Sequence, residues 1–133
     1  MARPMELLIR VPMLMNSYFT IASHRQQEDG HRFDLRLLPD CEVYQGHFPG
    51  QPVSPGVCSL QMIKECAEQL VGKPLMLSLV NQCRYTALVT PQDCPDIQLN
   101  LILTENEDHY LLNAKLFRGE TVYLELKAQA VAE

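Results

Sequence analysis

The twelve residues Gly46-His47-Phe48-Pro49-Gly50-Gln51-Pro52-Val53-Ser54-Pro55-Gly56-Val57 constrain this chain more than any other stretch, because they hold three prolines and three glycines. Proline fixes φ and lacks an N–H, and glycine supplies unusual backbone angles, so neither a strand nor a helix interior fits. The segment is a shaped loop, and it hands over to a helix. Ser54 is a good N-cap, Pro55 suits the first helical position, and no further proline occurs until Pro74. Leu60, Ile63, Ala67 and Leu70 then recur at three- and four-residue steps, with Cys66 on the same side. Gly72 is placed to end the helix, with Lys73 and Pro74 just beyond. One histidine, His47, therefore precedes a helix start.

The flanks read as strands. Tyr18 to Ala22 is β-branched and aromatic, Glu28-Asp29-Gly30 is a turn, and His31 to Leu37 alternates Phe33, Leu35 and Leu37 against Arg32, Asp34 and Arg36, which predicts a hairpin. After the helix, Met76–Val89, Ile97–Leu103, Tyr110–Phe117 and Val122–Val131 are four further candidates, separated by turns at Thr90–Pro95, Glu105–His109 and Arg118–Glu120. The fold class is α+β, a curved antiparallel sheet wrapped around one central helix. At 133 residues the expected organisation is a single domain over 1–133, with 1–17 as a lead-in segment.

A formal net charge of -5 argues against nonspecific nucleic-acid binding, which needs a positive surface. No uninterrupted apolar run approaches the ~20 residues of a membrane span. Arg3, Glu6 and Arg10 break up the apolar N-terminus, so a secretory signal is not expected and the compartment reads as cytoplasmic. The five cysteines, Cys41, Cys58, Cys66, Cys83 and Cys94, form no C-x-x-C pair and read as small buried hydrophobes. The histidines, His24, His31, His47 and His109, have no metal-ligand spacing, so neither a metal nor another cofactor is expected.

The loop's chemistry follows from its position. A helix start leaves its first N–H groups without intrahelical partners and carries partial positive charge, so the amides of Gly56 and Val57 form an oxyanion-type site. Glycine at 56 removes the Cβ that would obstruct a ligand carbonyl. With His47 beside those amides, the pair can bind a thioester carbonyl and abstract the proton from the adjacent carbon, the amides stabilising the enolate.

The run His47-Phe48-Pro49-Gly50 followed by Pro52, Pro55, Gly56 and Val57 resembles the active-site signature of the 3-hydroxyacyl-acyl-carrier-protein dehydratases of fatty acid synthesis, which have the hot-dog fold. Val80 to Tyr85, followed by Val89, Pro91 and Asp93, is similar to that family's strand and Pro-Gly-Asp turn, with Gln92 in place of the glycine. The resemblance spans about Phe19 to Val131. It implies a catalytic role for His47, carbonyl binding at Gly56 and the Val57 amide, an acyl carrier protein-linked thioester as substrate, and a dimer or higher oligomer with active sites at the subunit interface.

This chain departs from the pattern at one place. The family carries Glu or Asp fourteen positions after the histidine, supplied by the other subunit, and here that position is Gln61. Glutamine can donate a hydrogen bond to a hydroxyl or hold a water but gives up no proton at neutral pH. Glu65 lies one turn further, about 6 Å along the axis, and is not a direct substitute. The simplest expectation for Glu65 and Glu68 is a solvated face. Lys64, Lys73 and Arg84 are expected to face water, with docking of an acidic carrier protein as the rival reading, and Cys58 to be inert.

Three functions follow from these residues. The first is a hydro-lyase converting 3-hydroxyacyl thioesters on acyl carrier protein to trans-2-enoyl thioesters, slowed by Gln61. The second is a noncatalytic acyl-binding or partner subunit, in a heterodimer with a related dehydratase. A hot-dog thioesterase fits less well, because such enzymes need a group that activates water and lack the His-Phe-Pro-Gly loop.

Overall fold

The computed structural model describes residues 19–38, 55–86 and 96–133, with 55–57 as backbone only. Strands β1 (Phe19–Gln27) and β2 (Gly30–Leu37) form the expected hairpin, and helix α1 (Pro55–Val71) follows. Strands β3 (Leu75–Tyr85), β4 (Asp96–Glu105), β5 (Tyr110–Arg118) and β6 (Thr121–Ala132) complete the described chain. All six strands belong to one sheet in the order β1-β2-β4-β5-β6-β3, and every pairing is antiparallel.

Alternation decides which face of the sheet is apolar. Phe33 pairs with Leu99, Leu99 with Leu116, and Leu116 with Leu124, so one row of large side chains crosses four strands on a single face. All four are at most 1% exposed. The polar alternates Arg32, Asn100, Lys115 and Glu125 occupy the equivalent row on the other face.

Helix α1 covers the apolar face. Cys58, Met62, Ile63, Cys66 and Ala67 are fully buried in the same core as the sheet residues, while Leu70 and Val71 pack at its margin. Each large apolar side chain buried in this way contributes about 1.5–3 kcal/mol, which outweighs the modest helix propensity of the β-branched and cysteine positions. The helix ends as its sequence predicts: Gly72 takes φ +81° and its N–H donates to the Glu68 carbonyl at 2.8 Å.

Several boundaries differ from the sequence reading. β1 runs on to Gln27 rather than ending at Ala22, because a register shift between Ile21 and Ser23 lets the polar half of the strand keep pairing with β2. β3 stops at Tyr85, short of Val89, after two register shifts against β6. The turn at Thr90–Pro95 lies wholly outside the described residues, as do Cys41 and Cys94.

Candidate functional site

Helix α1 begins at Pro55, so Gly56 and Val57 fall in its first turn, where backbone N–H groups have no intrahelical acceptor. His47 lies outside the described residues, together with the rest of the loop up to Ser54.

Further along the helix, Gln61 and Glu65 are brought together. Both are buried, at 3% and 1% exposure, and the Gln61 Nε2 donates to Glu65 Oε2 at 2.8 Å. The remaining polar atom of the amide, Gln61 Oε1, is buried without a hydrogen-bond partner among the described residues. A buried amide oxygen left in that state costs about 1–3 kcal/mol, so it marks a place where a donor belongs. Burial pushes the Cys66 thiol far above its ordinary range, and the adjacent Glu65 charge pushes it further, in line with the small buried hydrophobe expected at this position.

The expected solvated face is therefore wrong for both glutamates. Glu65 lies inside the protein, turned toward Gln61 by the four-residue spacing that stacks side chains on one helix face. Glu68 is largely buried, its Oε2 accepting from Lys64 Nζ at 3.1 Å and from the Leu75 N–H at 2.8 Å. Lys64 also donates to the Leu75 carbonyl at 3.1 Å, so it clamps the helix to β3 rather than facing water. Arg84 does face water, with a loose ion pair of 3.7 Å to Glu125.

A second polar feature escaped the sequence reading. His24 pairs across the hairpin with Phe33, and the two rings stack with centroids 4.4 Å apart and 5° between planes. His24 Nε2 and His31 Nδ1 approach to 2.9 Å, sharing one hydrogen bond. The signal was the register around the Glu28-Asp29-Gly30 turn, which puts positions 24, 31 and 33 on one face. Among the described residues no three His, Cys, Asp or Glu side chains gather into a metal site, and no helix is long and apolar enough to cross a membrane.

A six-stranded antiparallel sheet wrapped around one central helix defines the hot-dog class of proteins. Solved structures carry the same arrangement. The dehydratase heterocomplex ApeI:P from Xenorhabdus doucetiae superposes with a TM-score of 0.61 at 19% identity, covering 84% of this chain and 96% of that one. A putative thioesterase from Shewanella oneidensis gives a TM-score of 0.53 at 12% identity, covering 99% of each chain. The family model described as ApeI-like, ApeI dehydratase, matches residues 23–122, and the chain belongs to this family.

Among curated proteins, the 3-hydroxyacyl-[acyl-carrier-protein] dehydratase FabZ of Pediococcus pentosaceus is 32% identical over 68 residues, which are 46% of this chain and 46% of the relative. The matched part of the chain spans about half the length of such curated relatives.

Proposed function

We propose that the protein removes water from a 3-hydroxyacyl thioester carried on acyl carrier protein, giving the trans-2-enoyl thioester. The observation that carries this reading is the dehydratase-family match over residues 23–122, a range that includes both His47 and Gln61.

In this reading the Gly56 and Val57 amides hold the thioester carbonyl. Neutral His47 takes the proton from the α-carbon, and the electron pair moves onto the carbonyl oxygen as an enolate. The enolate collapses to the C2–C3 double bond, the C3–O bond breaks, and the imidazolium returns its proton to the departing hydroxyl as water. His47 thus ends the cycle neutral. Gln61 holds the hydroxyl without protonating it. Positioned acid–base help contributes about 10²- to 10⁴-fold, so the missing acid slows the reaction without removing His47's part in it.

Helix geometry supports a site shared between two chains. Five residues separate Gly56 from Gln61, which is about 7.5 Å of rise and ~140° of rotation. A substrate held at the first turn of one helix is therefore on the wrong side for Gln61 of that same helix. Strand β3 closes one edge of the sheet, with Leu79 and Tyr85 at 38% and 42% exposure, and is suited to pairing with a second subunit. Cys58, Cys66 and Cys83 form no disulfide, which is compatible with a cytoplasmic enzyme.

The test is an assay of hydration of a trans-2-enoyl thioester and of the reverse dehydration, with His47→Ala alongside. Loss of turnover in the variant supports the reading, and activity that survives it overturns the assignment.

A noncatalytic partner subunit is the second reading, favoured by Gln61 and by the heteromeric assembly of the fold neighbour from Xenorhabdus doucetiae. An inactive homodimer that Gln61→Glu switches on supports this alternative. Full activity of the unmodified homodimer removes it.

A further inference from the structure

We infer that Glu65 is a positioning residue that locks the Gln61 side-chain amide with its oxygen presented to the ligand, so that this site recognises a hydrogen-bond donor at the substrate's C3. An ionised carboxylate only accepts hydrogen bonds, whereas an amide has an accepting and a donating end. The group of Gln61 that sits 2.8 Å from Glu65 Oε2 must then be its NH2. An amide turned the other way would set Oε1 against the carboxylate, two acceptors in a place where water cannot relieve the repulsion, since the residues are only 3% and 1% exposed.

With Nε2 committed to Glu65, Oε1 is the end left over, and it is buried without a partner among the described residues. A site of this kind accepts from a C3 hydroxyl. It rejects a C3 ketone, which offers only another acceptor and leaves both oxygens unsatisfied. Gln61 thereby keeps the accepting half of what a carboxylate at this position does and loses only the proton-donating half. Glu65, one turn along, fixes which half is kept. From the sequence Gln61 is expected to donate to the hydroxyl; its donor goes to Glu65 instead, which reverses that expectation.

The inference rests on the dehydratase reading for the identity of the ligand, but its test needs no turnover. The full-length protein is titrated calorimetrically with a medium-chain 3-hydroxyacyl pantetheine in which an amide replaces the thioester, so that the α-proton is too weakly acidic to be removed. The 3-oxo counterpart is titrated in parallel. The wild type is expected to bind the hydroxy analogue roughly tenfold or more tightly over the oxo analogue. In Glu65→Gln, whose neutral amide can present either end, Gln61 is free to turn and the ratio falls toward one. The exchanged pair Gln61→Glu with Glu65→Gln restores an acceptor-only group at 61 and with it the preference for the hydroxy analogue.

A wild type that shows no preference, including one that binds neither analogue, overturns the inference. So does a folded Glu65→Gln protein with an unchanged ratio. Should Glu65→Gln fail to fold, as judged by thermal unfolding, the exchanged pair decides alone, and a ratio near one in that variant overturns it. A hydroxy preference that follows Glu65 in a protein with no dehydratase activity upholds the inference while removing the dehydratase reading. Turnover with a ratio indifferent to Glu65 does the reverse.

Discussion

The Glu68 carboxylate accepts the backbone N–H of Leu75 at 2.8 Å, so a side chain of the central helix terminates the first residue of the following strand. Lys64, at 3.1 Å from the same oxygen and from the Leu75 carbonyl, completes the clamp. Both side chains are largely buried, at 14% and 12% exposure, and hydrogen bonds to charged groups contribute about 1.5–3 kcal/mol in such settings. Glu68→Ala is expected to lower unfolding free energy by about 2 kcal/mol in a denaturant titration. Glu68→Gln, which keeps an acceptor for Leu75, should lose less.

Gly30 opens β2 with φ +154°, and a Cβ there would lie 2.7 Å from the Leu101 carbonyl oxygen and 2.9 Å from Ile102 Cγ1. Gly119 also has a positive φ, +59°, but nothing within 4 Å of its would-be Cβ. Gly30→Ala must therefore shift β2 against β4 as well as adopt a strained backbone, while Gly119→Ala meets only the backbone cost of about 1–2 kcal/mol. Thermal unfolding of the two variants should show the larger drop in Tm for Gly30→Ala.

Burial, and secondarily the charge of His24, holds His31 below its ordinary pKa of 6.5. The folded state then favours neutral His31, and the unfolded chain takes up the proton first as pH falls. The stabilising contribution is complete above about pH 6.5 and is lost as pH drops through that value toward the lower folded one. Urea midpoints measured at pH 7.5 and 5.5 should differ less in His31→Gln than in the wild type.

Cys58 and Cys66 are both fully buried, and Cys66 is further protected by its raised pKa, whereas Cys83 on β3 is half-buried. Alkylation with iodoacetamide at pH 8 followed by peptide mapping should leave Cys58 and Cys66 unmodified in the native protein, with Cys83 modified faster than either. Rapid labelling of Cys66 would mean that the helix does not sit in the core as described.

What the sequence determined by itself was the order and kind of the elements, since these depend on local chemistry. Pro55 begins the helix, Gly72 ends it, and the alternation of Phe33, Leu35 and Leu37, like that of Ile97, Leu99 and Leu101, sets which face is buried. The motif around His47 also named Gly56, Val57 and Gln61 as candidates, with His47 itself outside the described residues. Register shifts in β1 and β3 were not legible, since they depend on the partner strand. Nor was the fate of Glu65 and Glu68: a charge on a helix reads as solvated until the packing around it is known. Only the tertiary structure, by enclosing the helix on more than one side, turned those two carboxylates into a partner for the Gln61 amide and an acceptor for the Leu75 N–H.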